Sequence, residues 1–359
     1  MKLYSVVPYL LLVSFMAGSA DEFSLEKASA IGRSPYDGVA VAYQEAYENG
    51  TVDHARREAL FKEMTLASGK HVWPWVFLNR IIGHVEGEGL GGTTPDKKYF
   101  LGVRGMDLYG ESGDLGEFLK NWRGAFRAAR SSGSPGVVVD LESYNNYKNY
   151  GLDYLAARMA RDPDEVRERL VMLGADLADI AAHEYPDAIV WSFFGGVGKR
   201  GKCLEASDIG CSSVSLVVLG FLDRCNEREY RLTFVAGGEW GLGYCFSSVE
   251  ALRARIARRD TDYGDTLLKY GNLRLAGTIA PWPDSCRKTN WLLMERCAEC
   301  DVEDAAGFVP YFRELARSYD YVWIYAASMA GYNPFDDGVA TLMNDALEEG
   351  FRDRVRTSR

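Results

Sequence analysis

Gly136-Val137-Val138-Val139-Asp140-Leu141-Glu142-Ser143-Tyr144 is the stretch that decides the fold. Its first four residues form a short apolar run rich in β-branched side chains, which predicts a strand buried on both faces, as in a parallel sheet covered by helices. Asp140 and Glu142 follow at a spacing of two, so both carboxylates point to the same side of the chain. In α/β barrels the carboxyl end of a strand carries the active site. Two acids held close together there acquire different pKa values, which suits an acid working beside a base.

Strand-like and helical patterns alternate along the rest of the chain, which predicts βα units and a parallel sheet. Pro163 to Glu184 is the clearest helix, with Asp162 as its cap and Pro163 in its first turn. The apolar run 213–226 fits a strand or a buried helix, and we favour the helix. No glycine-rich nucleotide loop follows the first strand, which argues against an open doubly wound sheet. We expect a (β/α)8 TIM barrel, regular or distorted, with seven strands assigned and one unassigned. The seven strands are expected at 38–43, 72–78, 136–139, 188–194, 231–236, 273–280 and 321–326.

Residues 1–20 read as a secretory signal that lies outside the fold. Lys2 supplies a weakly basic start, Val6 to Met16 an apolar core, and small residues end at Ala20, which predicts cleavage near that position. The apolar stretch is shorter than the ~20 residues of a membrane span. A retained N-terminal anchor is the alternative. The mature chain, 21–359, then forms a single barrel domain that is secreted or periplasmic.

The net charge limits which partners the protein can bind, and the cysteine content predicts disulfides. The whole chain has a formal net charge of −10, and removal of Lys2 leaves 40 basic and 51 acidic residues, a net charge of −11. Such an acidic chain is a poor candidate for binding nucleic acid or anionic membranes. We expect a monomer. All seven cysteines lie between Cys203 and Cys300, which in an exported protein predicts disulfides that staple long loops of the second half. No metal-binding pair of histidines and no cofactor motif is present, so no cofactor is expected.

Acids and aromatic rings follow several of the expected strands. Flat rings can bind the C–H face of a sugar, and carboxylates, amides and guanidinium groups its hydroxyls. Glycosidic cleavage uses one carboxyl as acid and another as nucleophile or base, at ~5–5.5 Å for retention and ~6.5–9.5 Å for inversion. Glu142 as general acid, with Glu239 or Asp140 as the second carboxylate, meets this need. Glu239 follows two glycines that permit a sharp turn. The expected sugar-positioning residues are Asn79, Arg104, Tyr144, Trp240, Trp282 and Asp284. By contrast, we expect Trp191 and Trp323 to belong to the core, and His54 and His183 to be exposed on helices.

The run Val137 to Tyr144 resembles the strand signature of family 18 glycoside hydrolases, which ends in Asp-x-Glu followed by an aromatic residue. The resemblance implies that Glu142 is the acid and that Asp140 assists the N-acetyl group of the substrate. The earlier aspartates of the signature are valines here, which leaves open a non-catalytic barrel that binds glycans. A third hypothesis is a metal-dependent hydrolase using Asp140, Glu142 and Asp284.

Overall fold

The computed structural model describes residues 9–14, 25–34, 36–43, 52–77, 108–109, 114–141, 151–193, 197, 203, 205, 208, 211–239, 242–243, 246–279, 305–326, 341–342, 345–346 and 348–353. Eight parallel strands pair in chain order, and the last pairs with the first to close a barrel. They are β1 (Tyr9–Ser14), β2 (Gly38–Ala42), β3 (His71–Phe77), β4 (Gly136–Asp140), β5 (Ile189–Ser192), β6 (Thr233–Ala236), β7 (Leu273–Ile279) and β8 (Tyr321–Ala326). The expected α/β barrel is therefore confirmed at the level of its architecture.

Helices alternate with the strands and cover the sheet from outside. They are α1 (Leu25–Arg33), α2 (His54–Ser68), α3 (Asp114–Ser132), α4 (Leu152–Met159), α5 (Pro163–Glu184), α6 (Ser213–Glu227), α7 (Val249–Lys269) and α8 (Val309–Ser318). The expected limits of α5 are confirmed, and Asp162 caps it by accepting a hydrogen bond from the backbone N–H of Asp164. The ambiguous run 213–226 is helical, as favoured. Helix α1 and helix α4 were not predicted.

The first strand corrects the expectation that residues 1–20 lie outside the fold. Strands β2 to β8 form a curled parallel sheet, and Tyr9–Ser14 pairs with β2 on one side and β8 on the other. This segment is the strand that the sequence left unassigned. The physical reason for the difference is that a short apolar run satisfies the requirements of a signal core and of a doubly buried strand equally well. Cleavage near Ala20 itself remains a prediction.

Aromatic rings fill the interior of the barrel. The ring of Trp191 on β5 contacts Trp73 on β3 and Tyr321 on β8, with centroids 5.8 and 5.4 Å apart. Since these strands are not neighbours, their side chains meet only by crossing the interior. Nearer the carboxyl ends, Phe193 packs on Trp75 and Trp323 in the same way. Trp191 and Trp323 are buried, and their assignment to the core is confirmed.

One disulfide joins Cys203 and Cys211, which are eight residues apart. This bond closes a short loop before α6, so within the described residues the expectation of disulfides that staple long loops is not met. Cys225 on α6 is a buried free thiol whose pKa burial raises to about 12. Cys245, Cys286, Cys297 and Cys300 lie outside the described residues. No described helix combines the length and the apolar character that a membrane crossing requires.

Candidate active site at the carboxyl ends of the strands

Asp140 is the last residue of β4 and faces the interior of the barrel. Paired residues of neighbouring strands point to the same face of a sheet, and Val138 pairs with Trp75, whose ring lies in the interior. Asp140, two residues further on, therefore points inward as well. Its accessible surface is only 2% of the full value. The strand thus presents a buried carboxyl group above the aromatic layer of Trp75 and Phe193.

Glu239 follows β6, two strands away, and leaves the sheet by a sharp turn. Gly238 has a φ of +95°, a conformation that L side chains rarely adopt, and a Cβ there would lie 2.7 Å from the carbonyl oxygen of Ala276. Backbone bonds then close a compact loop: Leu242 donates to the carbonyl of Gly238 at 2.7 Å, and Gly243 to that of Glu239 at 3.2 Å. The expected role of the glycine pair in bending the chain before Glu239 is confirmed. Glu239 itself is half-buried.

The turn before Glu239 is bonded to the barrel on both sides. The backbone N–H of Gly237 donates to the carbonyl of Ser192 on β5 at 2.6 Å. From the interior, the indole N–H of Trp323 donates to the carbonyl of Gly237, also at 2.6 Å. From the outer layer, Arg259 on α7 donates to the carbonyl of Ala236 at 2.7 Å. The position of the Glu239 backbone is therefore set by contacts with three other elements.

The other predicted site residues lie outside the described part of the chain. They are Glu142, Asn79, Arg104, Tyr144, Trp240, Trp282 and Asp284. Their roles remain predictions, and so does the resemblance to family 18 that depends on Glu142. The structure does describe Asp140 and Glu239, and it brings both to the carboxyl end of the barrel. Within the residues described, no cluster of three His, Cys, Asp or Glu side chains suited to a metal ion is found.

Two side chains near this end of the barrel were missed or misjudged from sequence. The Nδ1 atom of His54, at the start of α2, lies 2.9 Å from the hydroxyl of the buried Tyr43. His54 is half-buried rather than exposed as expected, and its burial lowers its pKa. Arg259 on α7 is 2% exposed, although the neighbouring Arg258 on the same helix is exposed. His183, in contrast, is exposed as expected.

Comparison with known proteins shows similarity in structure alone. No protein-family model matches the chain, and no curated protein matches it. Among solved structures, PbGH5A, a glycoside hydrolase family 5 enzyme from Prevotella bryantii B14, is 11% identical over 98% of each chain, with a TM-score of 0.51. A GH20 catalytic module of the pneumococcal exo-β-D-N-acetylglucosaminidase StrH is 10% identical over 97% of this chain and 85% of that chain, with a TM-score of 0.49.

A D-allulose 3-epimerase from Methylomonas sp. is also similar, at 12% identity over 97% of this chain and 98% of that one, with a TM-score of 0.40. Of these three, the family 5 enzyme alone exceeds a TM-score of 0.5, and at 11% identity it shows the fold and nothing finer. The chain is therefore similar to this family 5 glycoside hydrolase in its TIM-barrel-like fold.

Proposed function

We propose that this protein is a glycoside hydrolase that cleaves a glycosidic bond by paired-carboxylate chemistry. One observation carries the proposal: Asp140 points into the barrel at the carboxyl end of β4 and is 2% exposed. Functional groups of barrel enzymes occupy this end, and a carboxyl group is costly to bury beside the apolar and aromatic side chains of the interior. The fold itself hosts unrelated chemistries, so these side chains, and not the barrel, support the proposal.

The proposed mechanism divides the work between two strand ends. Glu142 is the general acid that protonates the leaving oxygen, because Asp140 and Glu142 match the helper and the acid of the resembled Asp-x-Glu signature. Glu239 is the second carboxylate, acting as nucleophile or as base for water. Strands β4 and β6 are separated by β5, so at ~4.8 Å per strand their axes lie roughly 10 Å apart. Side chains that converge from that distance fit the separations of both retaining and inverting enzymes.

The substrate is a polysaccharide or glycan held over the mouth of the barrel. Asp140 assists the reacting sugar beside Glu142, as the family 18 resemblance implies. Rings and polar groups of the surrounding loops position the remaining sugar units. These residues are Asn79, Arg104, Tyr144, Trp240, Trp282 and Asp284.

We also infer that the protein acts in an oxidising compartment, reached by export. The disulfide between Cys203 and Cys211 supports this, because such bonds persist mainly outside the cytosol. Cleavage near Ala20 would remove Tyr9–Ser14 and open the barrel between β2 and β8. Mass spectrometry of the exported protein tests this, because a chain cleaved near Ala20 is lighter than one that keeps its first strand.

Activity is tested by changing Glu142→Gln and Glu239→Gln separately and measuring reducing sugar released from a panel of glycans. Each change is expected to lower turnover by about 100-fold or more, the usual contribution of an acid or base catalyst. Asp37→Asn is the matched control, since Asp37 is exposed and precedes β2 at the opposite end of the barrel. Full turnover in both variants contradicts the proposal. Glycan binding by the intact protein without any hydrolysis instead identifies a non-catalytic binding module.

A further inference from the structure

We propose that Arg259 is a positioning residue for Glu239, acting through the backbone of the turn that carries it. The inference deepens the proposed function and, for its catalytic consequence, rests on it. Arg259 lies on α7, outside the sheet, and Glu239 follows the end of β6. The two are connected by hydrogen bonds to main-chain carbonyl groups.

The guanidinium group of Arg259 joins two strands where one of them ends. Its Nη1 donates to the carbonyl of Ala276 on β7 at 2.5 Å, and its Nη2 to the carbonyl of Ala236 on β6 at 2.7 Å. Strand β6 ends at Ala236, whereas β7 continues to Ile279. The planar fork of an arginine presents separate N–H groups to the two carbonyls in a fixed geometry, which the compact ammonium of a lysine does not reproduce.

The surroundings of this group explain how a charge is tolerated there. Arg259 is 2% exposed, and its guanidinium carbon lies 5.5 Å from the ring centroid of Tyr263 and 5.2 Å from that of Tyr319. Aromatic faces stabilise a cation at such distances. A buried guanidinium is costly unless it is bonded, so its bonds to the two carbonyls hold both it and the strand ends in place.

The contact also reaches the residue directly before Glu239. A Cβ on Gly238 would lie 3.1 Å from Nη1 of Arg259, so the guanidinium packs against the strained turn itself. Trp323 bonds the same turn from the interior, through the carbonyl of Gly237. Arg259 therefore holds the turn from outside the sheet, and Trp323 holds it from inside. We call these two sets of hydrogen bonds the clamp. We infer that the clamp fixes where Glu239 enters the mouth of the barrel.

The test compares Arg259→Met and Arg259→Lys with Arg258→Met, which changes the exposed neighbour on the same helix. Amide hydrogen exchange of the segment 236–243 measures the turn directly and needs no activity. In R259M these amides are expected to exchange at least about tenfold faster than in the wild type, because the turn opens more easily without the clamp. R259K keeps the charge but not the fork. Its amides in this segment should exchange faster than those of the wild type and more slowly than those of R259M. R258M should exchange like the wild type.

The catalytic consequence is read from the glycan assay. In R259M, kcat is expected to fall by about tenfold or more while KM stays within about twofold, since a displaced catalytic group costs rate more than binding. R259K should recover part of kcat. A role in stability alone would leave kcat per folded molecule unchanged.

The outcomes separate the two proposals. Wild-type exchange rates in a folded R259M overturn the positioning role, whether or not the protein hydrolyses glycans. Accelerated exchange in a protein without any hydrolytic activity supports the clamp and refutes the proposed function. If R259M does not fold, R259K decides: faster exchange of 236–243 supports the clamp, and unchanged exchange together with unchanged kcat overturns it.

Discussion

The two ends of the barrel hold buried charge in different ways. At the amino end, Glu184 is the last residue of α5, and its side chain is 8% exposed. Arg127 and Arg123 on α3 approach its carboxylate at 2.8 and 3.1 Å, and His183 lies 3.3 Å away. Positive and negative side chains meet directly here, and the charge of Glu184 is neutralised.

At the carboxyl end, the buried cation bonds to the backbone instead. Arg259 donates to the carbonyls of Ala236 and Ala276, and Asp140 points into the interior from the next strand but one. The charge of Arg259 is therefore balanced by carbonyl dipoles of two strands, whereas Arg127 at the other end faces a carboxylate. The comparison teaches that ion pairs hold the buried charge at the amino end, whereas main-chain carbonyls hold the buried cation at the carboxyl end, where barrel enzymes carry their active sites.

Among the changes that compare the two ends, the largest effect is expected from Asp140→Asn, which replaces the carboxyl group by an amide and keeps the shape of the side chain. Glycan turnover should fall by about 100-fold, since assisting and acid–base groups contribute on that scale. Turnover per folded molecule is measured after circular dichroism confirms the fold. D37N, the same change at an exposed position at the other end, should leave turnover unchanged. Wild-type turnover in D140N would remove the functional difference between the two ends.

The next effect concerns the strained turn before Glu239. Gly238→Ala places a Cβ 2.7 Å from the carbonyl oxygen of Ala276 at a φ of +95°, and it should lower the free energy of unfolding by ~2–3 kcal/mol. Gly243→Ala is the control, because its φ of +72° is also unfavourable but its Cβ would meet only the end of Arg255, at 3.4 Å. That change should cost about 1 kcal/mol. Urea unfolding measures both; equal losses would mean that the turn is not held tightly.

The sequence predicts the elements that carry their own local signals. Helix α5 has a cap at Asp162 and a proline at its start, and strand β4 is an uninterrupted β-branched run, so both are found where expected. The bend before Glu239 follows from a glycine pair for the same reason. Such features depend on residues within a few positions of each other, so a single amino-acid sequence is enough to predict them.

Features that join distant segments could not be predicted in this way. Trp323 and Gly237, whose bond clamps the turn, are 86 residues apart, and no periodicity relates them. Arg259 lies in a run of basic residues on α7, and composition cannot distinguish the one that turns inward. The strand Tyr9–Ser14 is decided by its partners β2 and β8, since its apolar residues suit a signal core as well. Long-range register, not local propensity, determines these positions.

The smallest effect is expected at the amino end, from Glu184→Gln. Burial raises the pKa of this carboxyl group, but the hydrogen bond and charge of Arg127, with a contribution from His183, outweigh burial and leave the pKa below its ordinary value of 4.5. Because the folded-state pKa is the lower one, the ionised carboxylate stabilises the fold fully above the unfolded-state value, and that contribution is lost as pH falls through the folded-state pKa. E184Q should therefore cost ~1–2 kcal/mol at pH 7, an estimate reduced because both arginines are about half exposed.

The pH dependence distinguishes this pairing from simple packing. Urea unfolding should show the gap between wild type and E184Q closing below pH 4.5, whereas a packing defect would persist at all pH values. Glu117→Gln, which removes an exposed ion pair with Lys120 on α3, is the matched control and should cost at most about 0.5 kcal/mol. Glycan turnover per folded molecule should be unchanged in E184Q, because Glu184 lies at the end of the barrel remote from Asp140 and Glu239. A loss of turnover as large as that of D140N would show that charge at the amino end also serves function, and the contrast between the two ends would fail.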